Sequence, residues 1–321
     1  GKPHARLGAG FARLGAGKPH ARQAQPVAGM ATALDGNLPP PPIDSDASSA
    51  PQINNIANVS LNRLGLLVYS GESRANFYGG KAGYDAGGHP VITDNNLGPH
   101  EAGFDTTAAN YAFWKGSATT VNRGSKDYGS GFVVDWGVWD TTTGGTAIRQ
   151  VDPEGLVFEE DVKRNLFWLT LSPTPAATLS SLTGSATYST SASMGHVMGG
   201  GSGGAINNTN FSFNANTNFD TGVVDGSMTI SNAEAWHVVF KGDPNDVTNG
   251  KGLVNGVLDV SVDKGLSHVQ ATLGVKADMG IVVTGANAEA MAGAFDLEAY
   301  DKGTNVAIPT LHAEGVFVAE Q

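Results

Sequence analysis

From residue 176 to residue 321 the sequence breaks into short stretches of alternating apolar and polar residues, each closed by Gly, Asn or Asp. Such stretches occupy residues 184–190, 210–215, 221–230, 235–240, 252–262, 267–273 and 279–283. Two more follow, over 291–300 and 313–321. In the first of these Met291, Gly293, Phe295, Leu297 and Ala299 fall on one face. Ala292, Ala294, Asp296, Glu298 and Tyr300 fall on the other. A period of two predicts a half-buried antiparallel strand. Evenly spaced short strands joined by Gly/Asn/Asp turns predict a meander, and about eight of them lose their edges most simply by closing into a barrel. The expected fold is all-β, with an antiparallel barrel over 176–321.

The segment 58–175 reads as a smaller β-rich region. Strands are expected near residues 59–69, 111–114, 131–139, 146–151 and 166–171, with a glycine-rich irregular stretch up to about 108. In 131–139 Phe132, Val134, Trp136 and Val138 share one face, and Val133, Asp135, Gly137 and Trp139 the other. Residues 152–164 suit a short helix. Pro173 and Pro175 mark the boundary, because proline stops sheet pairing.

Residues 1–57 form an arm of different character. Residues 1–6 recur as 17–22, and 5–10 recur as 12–17; the run Pro39 to Pro42 is stiff and extended. Composition alone suits a linker without a core. The arm is also basic, through Lys2, Arg6, Arg13, Lys18 and Arg22, on a chain of formal net charge −11. An arm lacking its own core is held most naturally by adding a strand to a neighbouring sheet edge. Lys2, Arg6, Leu7, Phe11, Arg13, Leu14, Lys18 and Arg22 are therefore the expected assembly contacts, with further copies of this chain as partner.

Composition narrows the function classes. With 44 glycines and 15% charged residues among 321, the chain is rich in turns yet apolar enough for a core. Its acidity repels phosphate backbones, so nucleic acid is not an expected partner. Without cysteine there is no disulfide, thiolate metal site or cysteine nucleophile. No run approaches the ~18 apolar residues of a membrane helix. The opening Gly1, in place of Met, suggests a processed or trimmed fragment with any leader or lipid anchor upstream.

Several motifs in the second half carry a resemblance. They are residues 183–188, 218–230, Trp236 to Gly242, the turn and strand with Gly285, Ala288, Glu289, Gly293 and Phe295, and the closing Gly315 to Phe317. Over about residues 130–321 the chain resembles the C-terminal β-barrel lobe of transferrin-binding-protein-B-like proteins. It is especially similar to versions fused behind FecR-type domains in secreted proteobacterial proteins. The resemblance implies barrel closure by Gly285, Glu289, Gly293, Phe295, Gly315 and Phe317, and an address outside the cell, on or beyond the surface of a Gram-negative bacterium. The chain departs from the family at residues 283–287, where an aromatic residue and a proline are usual. The long loops of transferrin-type lobes have no match here, so iron-protein binding is not implied.

No chemistry-bearing pattern emerges. The eight histidines (His4, His20, His89, His100, His196, His237, His268, His312) show no ligand spacing and suit surface or strand positions. Residues 243–250, with Asp243 and Asp246, are rich in oxygen ligands but lack the spacing of a calcium loop, and suit an Asx turn. The glycines around 199–204 lack the Lys-Ser/Thr of a phosphate cradle. Trp114, Trp136, Trp139, Trp168 and Trp236 suit core packing more than a binding platform. No catalytic residue, metal or cofactor is expected, and no enzyme activity. The primary expectation is an extracellular, self-assembling structural subunit. The alternative is a surface ligand-binding or adhesin module.

Overall fold

A computed structural model describes residues 60, 62–70, 75–94, 110–115, 118–140, 146–151, 157–162, 165–199, 203–232, 234–242, 256–264, 273–301 and 311–321. The described chain is all-β apart from one short helix. The first region holds β1 (Arg63–Ser70), β2 (Ala75–Tyr84), β3 (Pro90–Asp94), β4 (Asn110–Trp114), β5 (Thr119–Asp127), β6 (Val133–Asp140), β7 (Thr146–Val151), β8 (Val157–Val162) and β9 (Leu166–Leu171). They pair in the order β5-β6-β9-β1-β2-β3-β4-β7-β8, and we call this sheet the handle. The helix α1 (Ala176–Leu179) follows the prolines that end it.

The second sheet contains β10 (Ser185–Gly199), β11 (Gly204–Ile206), β12 (Phe211–Asn218), β13 (Val223–Ser231), β14 (Glu234–Gly242), β15 (Gly256–Lys264), β16 (Leu273–Thr284), β17 (Ala290–Asp301) and β18 (Leu311–Glu320). Its main path is β15-β14-β13-β12-β10-β18-β17-β16, with β11 paired to β10. The meander's first long strand is thus hydrogen-bonded to its last, from Ser189↔Glu320 to Gly199↔Leu311 with a bulge between Thr190 and Ala192. The ends of the path, β15 and β16, lie against each other. The sheet curls around an aromatic lumen. Phe211 of β12 stacks on Phe295 of β17 at 5.5 Å, although two strands separate theirs in the sheet.

Two sequence expectations are corrected in the handle. The glycine-rich stretch before residue 108 contains β2 and β3. Gly80 of β2 stands opposite Gly65 of β1, which lies so close to Ala82 of β2 and Ile92 of β3 that an added Cβ would sit 2.8–3.0 Å from their atoms. The helix expected within 152–164 is instead β8, in register with β7 from Thr146↔Val162 to Val151↔Val157. Pairing with a sheet overrides helix propensity in so short a segment.

A third correction concerns β17, which is buried on both faces. Residues 290–299 are buried throughout, as are 311–319 of β18. The reason is tertiary: β17 and β18 pack outward against β1, β2 and β9 of the handle. Leu64, Leu66, Val68, Val134, Phe167 and Leu169 of the handle join one continuous core with the barrel. A second core, including Phe113, Trp139 and Trp168, lies on the handle's other face.

Candidate functional site

The turn from β16 to β17 is a backbone device. Gly285 sits at φ +103, where an added Cβ would come within 2.1 Å of the Glu289 carboxylate. Ala288 also has positive φ, at +65. Glu289 accepts hydrogen bonds from the Asn287 backbone N–H (2.8 Å) and Nδ2 (3.1 Å). Burial pushes the Glu289 carboxyl up, but these bonds outweigh it and hold the pKa below its usual value. Neighbouring groups lock the turn. Thr174 Oγ1 donates to Gly285 O (2.7 Å), and both Tyr188 Oη and Gln321 Nε2 donate to Ala288 O at 2.7 Å.

The other residues of the pattern form two cross-strand pairs facing the lumen. Phe295 stands opposite Gly315, and Gly293 opposite Phe317. Each ring lies over the glycine across from it. A Cβ on Gly293 would meet Phe317 Cζ at 2.7 Å, and one on Gly315 would meet Phe295 Cζ at 2.9 Å. The rings continue into Phe213 (4.3 Å from Phe317) and from there to Phe240 (5.3 Å). Gly285, Glu289, Gly293, Phe295, Gly315 and Phe317 thus do the work of a fold: they set a turn and fill a lumen.

The opposite face of the same two strands carries charge. In register, Glu298 faces His312 and Asp296 faces Glu314. All four are at most 7% exposed. His312 Nε2 lies 2.8 Å from Asp296 Oδ1 and 3.7 Å from Glu314 Oε2. Burial opposes the charged imidazole, but the Asp296 hydrogen bond and the charges of Glu314, Asp296 and Glu298 outweigh it and raise the pKa to about 9. Next to them, His196 of β10 stands opposite Glu314. Burial and the neighbouring His312 lower its pKa. Lys81 of β2 is buried and stands opposite Leu64, hence on the handle face turned to the barrel.

Sequence reading missed this group, because it gave Asp296 and Glu298 to a solvent face and treated His312 as isolated. The available signal was the pairing of two strands that each carry two ionisable residues at alternate positions. Of the remaining sequence candidates, Trp114, Trp139, Trp168 and Trp236 are buried and Trp136 is partly buried against the core, so they form no platform. His237 is exposed on the barrel wall. The residues of the arm, Lys2, Arg6, Leu7, Phe11, Arg13, Leu14, Lys18 and Arg22, lie outside the described residues, as do Asp243 and Asp246.

The free wall of the barrel, over β12, β13 and β14, is built apolar inward and polar outward. Phe211, Phe213, Met228, Ile230, Trp236 and Phe240 are buried, while Ser212, Asn214, Asn216, Asp225, His237 and Lys241 are exposed. That is the reverse of a lipid-facing barrel, which is apolar outward and polar inward. No described helix is long and apolar enough to cross a membrane.

No family model matches the chain, and no curated protein matches it. Solved structures do, at low identity. One is transferrin binding protein B from serogroup B Neisseria meningitidis, at 13% identity and TM-score 0.34, covering 80% of this chain and 43% of that one. Another is the N-lobe of lactoferrin binding protein B from Moraxella bovis, at 13% identity and TM-score 0.30, covering 82% of this chain and 100% of that one. A third is HpuA from Kingella denitrificans in complex with human haemoglobin, at 11% identity and TM-score 0.25, covering 80% and 84%. The chain spans less than half the length of that transferrin binding protein B. These proteins belong to the class that the sequence motifs resemble. They also correct one expectation. Further copies of this chain were the expected partner, whereas these similar proteins are named for transferrin or lactoferrin, or were solved with haemoglobin.

Proposed function

We propose that this chain is a non-enzymatic binding lobe on the outer surface of a Gram-negative bacterium, which captures a foreign macromolecule on the outside of its handle and barrel. One observation carries the reading: the lumen is filled. Among the described residues Phe211, Phe213, Phe240, Phe295 and Phe317 form a continuous aromatic cluster across the lumen. A filled barrel has no room for a small guest, in contrast to barrels that hold one inside. Recognition then falls to walls and rims, which suit a partner with a large surface of its own. The group formed by Asp296, Glu298, His312 and Glu314 lies between two sheets at no more than 7% exposure, out of reach of a substrate. The sequence resemblance to a receptor-type lobe supports the same reading, as do the transferrin, lactoferrin and haemoglobin for which the similar structures are named or with which they were solved.

The test is surface plasmon resonance with the chain immobilised. Transferrin, lactoferrin, haemoglobin and fractionated host secretions are passed over it, and a panel of small apolar ligands is run in parallel. Saturable binding of one macromolecule at micromolar concentration or below is expected, with no small-molecule response. Binding of an apolar small molecule in the lumen, or no macromolecular response in any fraction, sinks the proposal.

A further inference from the structure

We propose that the buried group on β17 and β18 is a structural site for one divalent first-row transition ion, of the zinc class, at the junction of barrel and handle. His312, Asp296 and Glu298 are its ligands, and Glu314 stands beside them. Each of the three ligand residues offers a donor atom, and all three atoms lie within 4.8 Å of one another. A tetrahedral ion with bonds of about 2.0–2.1 Å needs donors about 3.3 Å apart. His312 Nε2 and Asp296 Oδ1, at 2.8 Å, would open slightly to admit it, and the wider pairs would close by side-chain rotation.

The sheet supplies the preorganisation. Glu298 and His312 are direct cross-strand partners, and Asp296 and Glu314 form the next pair on the same face. Side chains so placed are near neighbours whose separation the backbone ladder fixes. Both strands are buried on both faces, which holds the donors away from water.

Three carboxylates, Asp296, Glu298 and Glu314, are buried on this face at 2–7% exposure, with the His312 imidazole among them. Buried charge is costly unless it is paired or coordinates a metal, and a divalent ion offsets the negative charge of carboxylate ligands. One imidazole with carboxylate oxygens suits zinc or manganese-class ions, and zinc lies above manganese in the general order of affinity.

The experiment uses the full chain, stripped with a chelator both in its native form and during refolding, since a buried site fills most easily as the sheets close. It is then loaded with Zn2+ for elemental analysis after gel filtration, and with Co2+ for visible absorption. One ion per chain should be retained, and Co2+ should give a visible band. His312→Gln and Glu298→Gln should weaken Zn2+ at least tenfold in competition with a chromogenic chelator, and a His4→Gln/His20→Gln variant should leave it unchanged. Absence of retained metal and of any Co2+ band in the wild type, native and refolded, overturns the proposal whatever the variants do. Loss of binding in the His4/His20 variant, with His312→Gln unaffected, overturns it equally.

Discussion

Replacing Phe317 with alanine tests the packing account where it is most exposed to error. Phe317 is 1% exposed. Its ring lies 4.3 Å from Phe213, 5.6 Å from Phe211 and 6.5 Å from Phe295, and it covers Gly293 across the sheet. A buried Phe→Ala change costs about 3–5 kcal/mol, more where the surroundings cannot collapse. Collapse is poor here, because the floor is a glycine that has no side chain to move in. Each lost ring pair adds about 0.5–1.5 kcal/mol beyond area. The upper part of the range, about 4–5 kcal/mol, is therefore expected. With a urea m-value of about 3 kcal/mol/M, the midpoint should fall by about 1.5 M at unchanged m. Urea unfolding followed by near-UV circular dichroism and by tryptophan fluorescence measures it. Val239→Ala is the control, since Val239 is 58% exposed and should change stability by less than about 0.5 kcal/mol. A midpoint shift for Phe317→Ala below about 0.3 M would place the ring outside the lumen and refute the register on which the site rests.

Other outcomes follow from the same geometry. Gly293→Ala should cost about 1–3 kcal/mol by overpacking, because its Cβ would meet Gly280 O at 2.5 Å and Phe317 Cζ at 2.7 Å. In the Phe317→Ala background part of that cost should vanish, and strict additivity in the double-mutant cycle would count against the contact. In metal-free protein His312→Ala should cost about 3–5 kcal/mol in thermal or urea unfolding, since it leaves buried carboxylates without their imidazole; a neutral effect would show that the group is hydrated. Glu320→Gln should matter little, because Glu320 and its partner Lys126 (2.6 Å) are 26% and 47% exposed, and screening holds such a pair below about 1 kcal/mol. Burial pushes the Glu320 carboxyl up, but hydrogen bonds from Lys126, Ser191 and Tyr128 bring it below its usual 4.5. Its contribution is therefore present above pH 4.5 and fades as pH falls through the lowered value, so wild type and variant should converge in acid; a difference that grows toward acid would reverse the assignment.

Much of the barrel was legible because its free wall obeys one rule. Alternation in residues 211–218 reads directly as buried phenylalanines and exposed serine and asparagine. The inward phase of Phe295 and Phe317 followed from the same period. What stayed hidden depended on a second sheet. The even-numbered residues of β17 look solvent-facing along the sequence, yet the handle covers them, and this placed Asp296 and Glu298 beside His312. The strands β2 and β3 were hidden by glycines that read as loop, although Gly80 of β2 pairs in register with Gly65 of β1, and Ala82 and Ile92 pack closely on Gly65. The acidic run of β8 looked helical until a neighbouring strand is available to pair with it. No local pattern could show either, since each rests on contacts between distant segments.

On the proposed function the lobe meets other macromolecules through its outer surfaces, rather than copies of itself or a guest in its lumen. Sedimentation velocity tests it most directly, with the chain run alone and then mixed with the host protein that the binding screen retains. A single monomer boundary alone, shifting to a faster discrete complex on mixing, is the predicted result. A boundary that grows with the chain's own concentration, or one that no host protein shifts, would contradict the account.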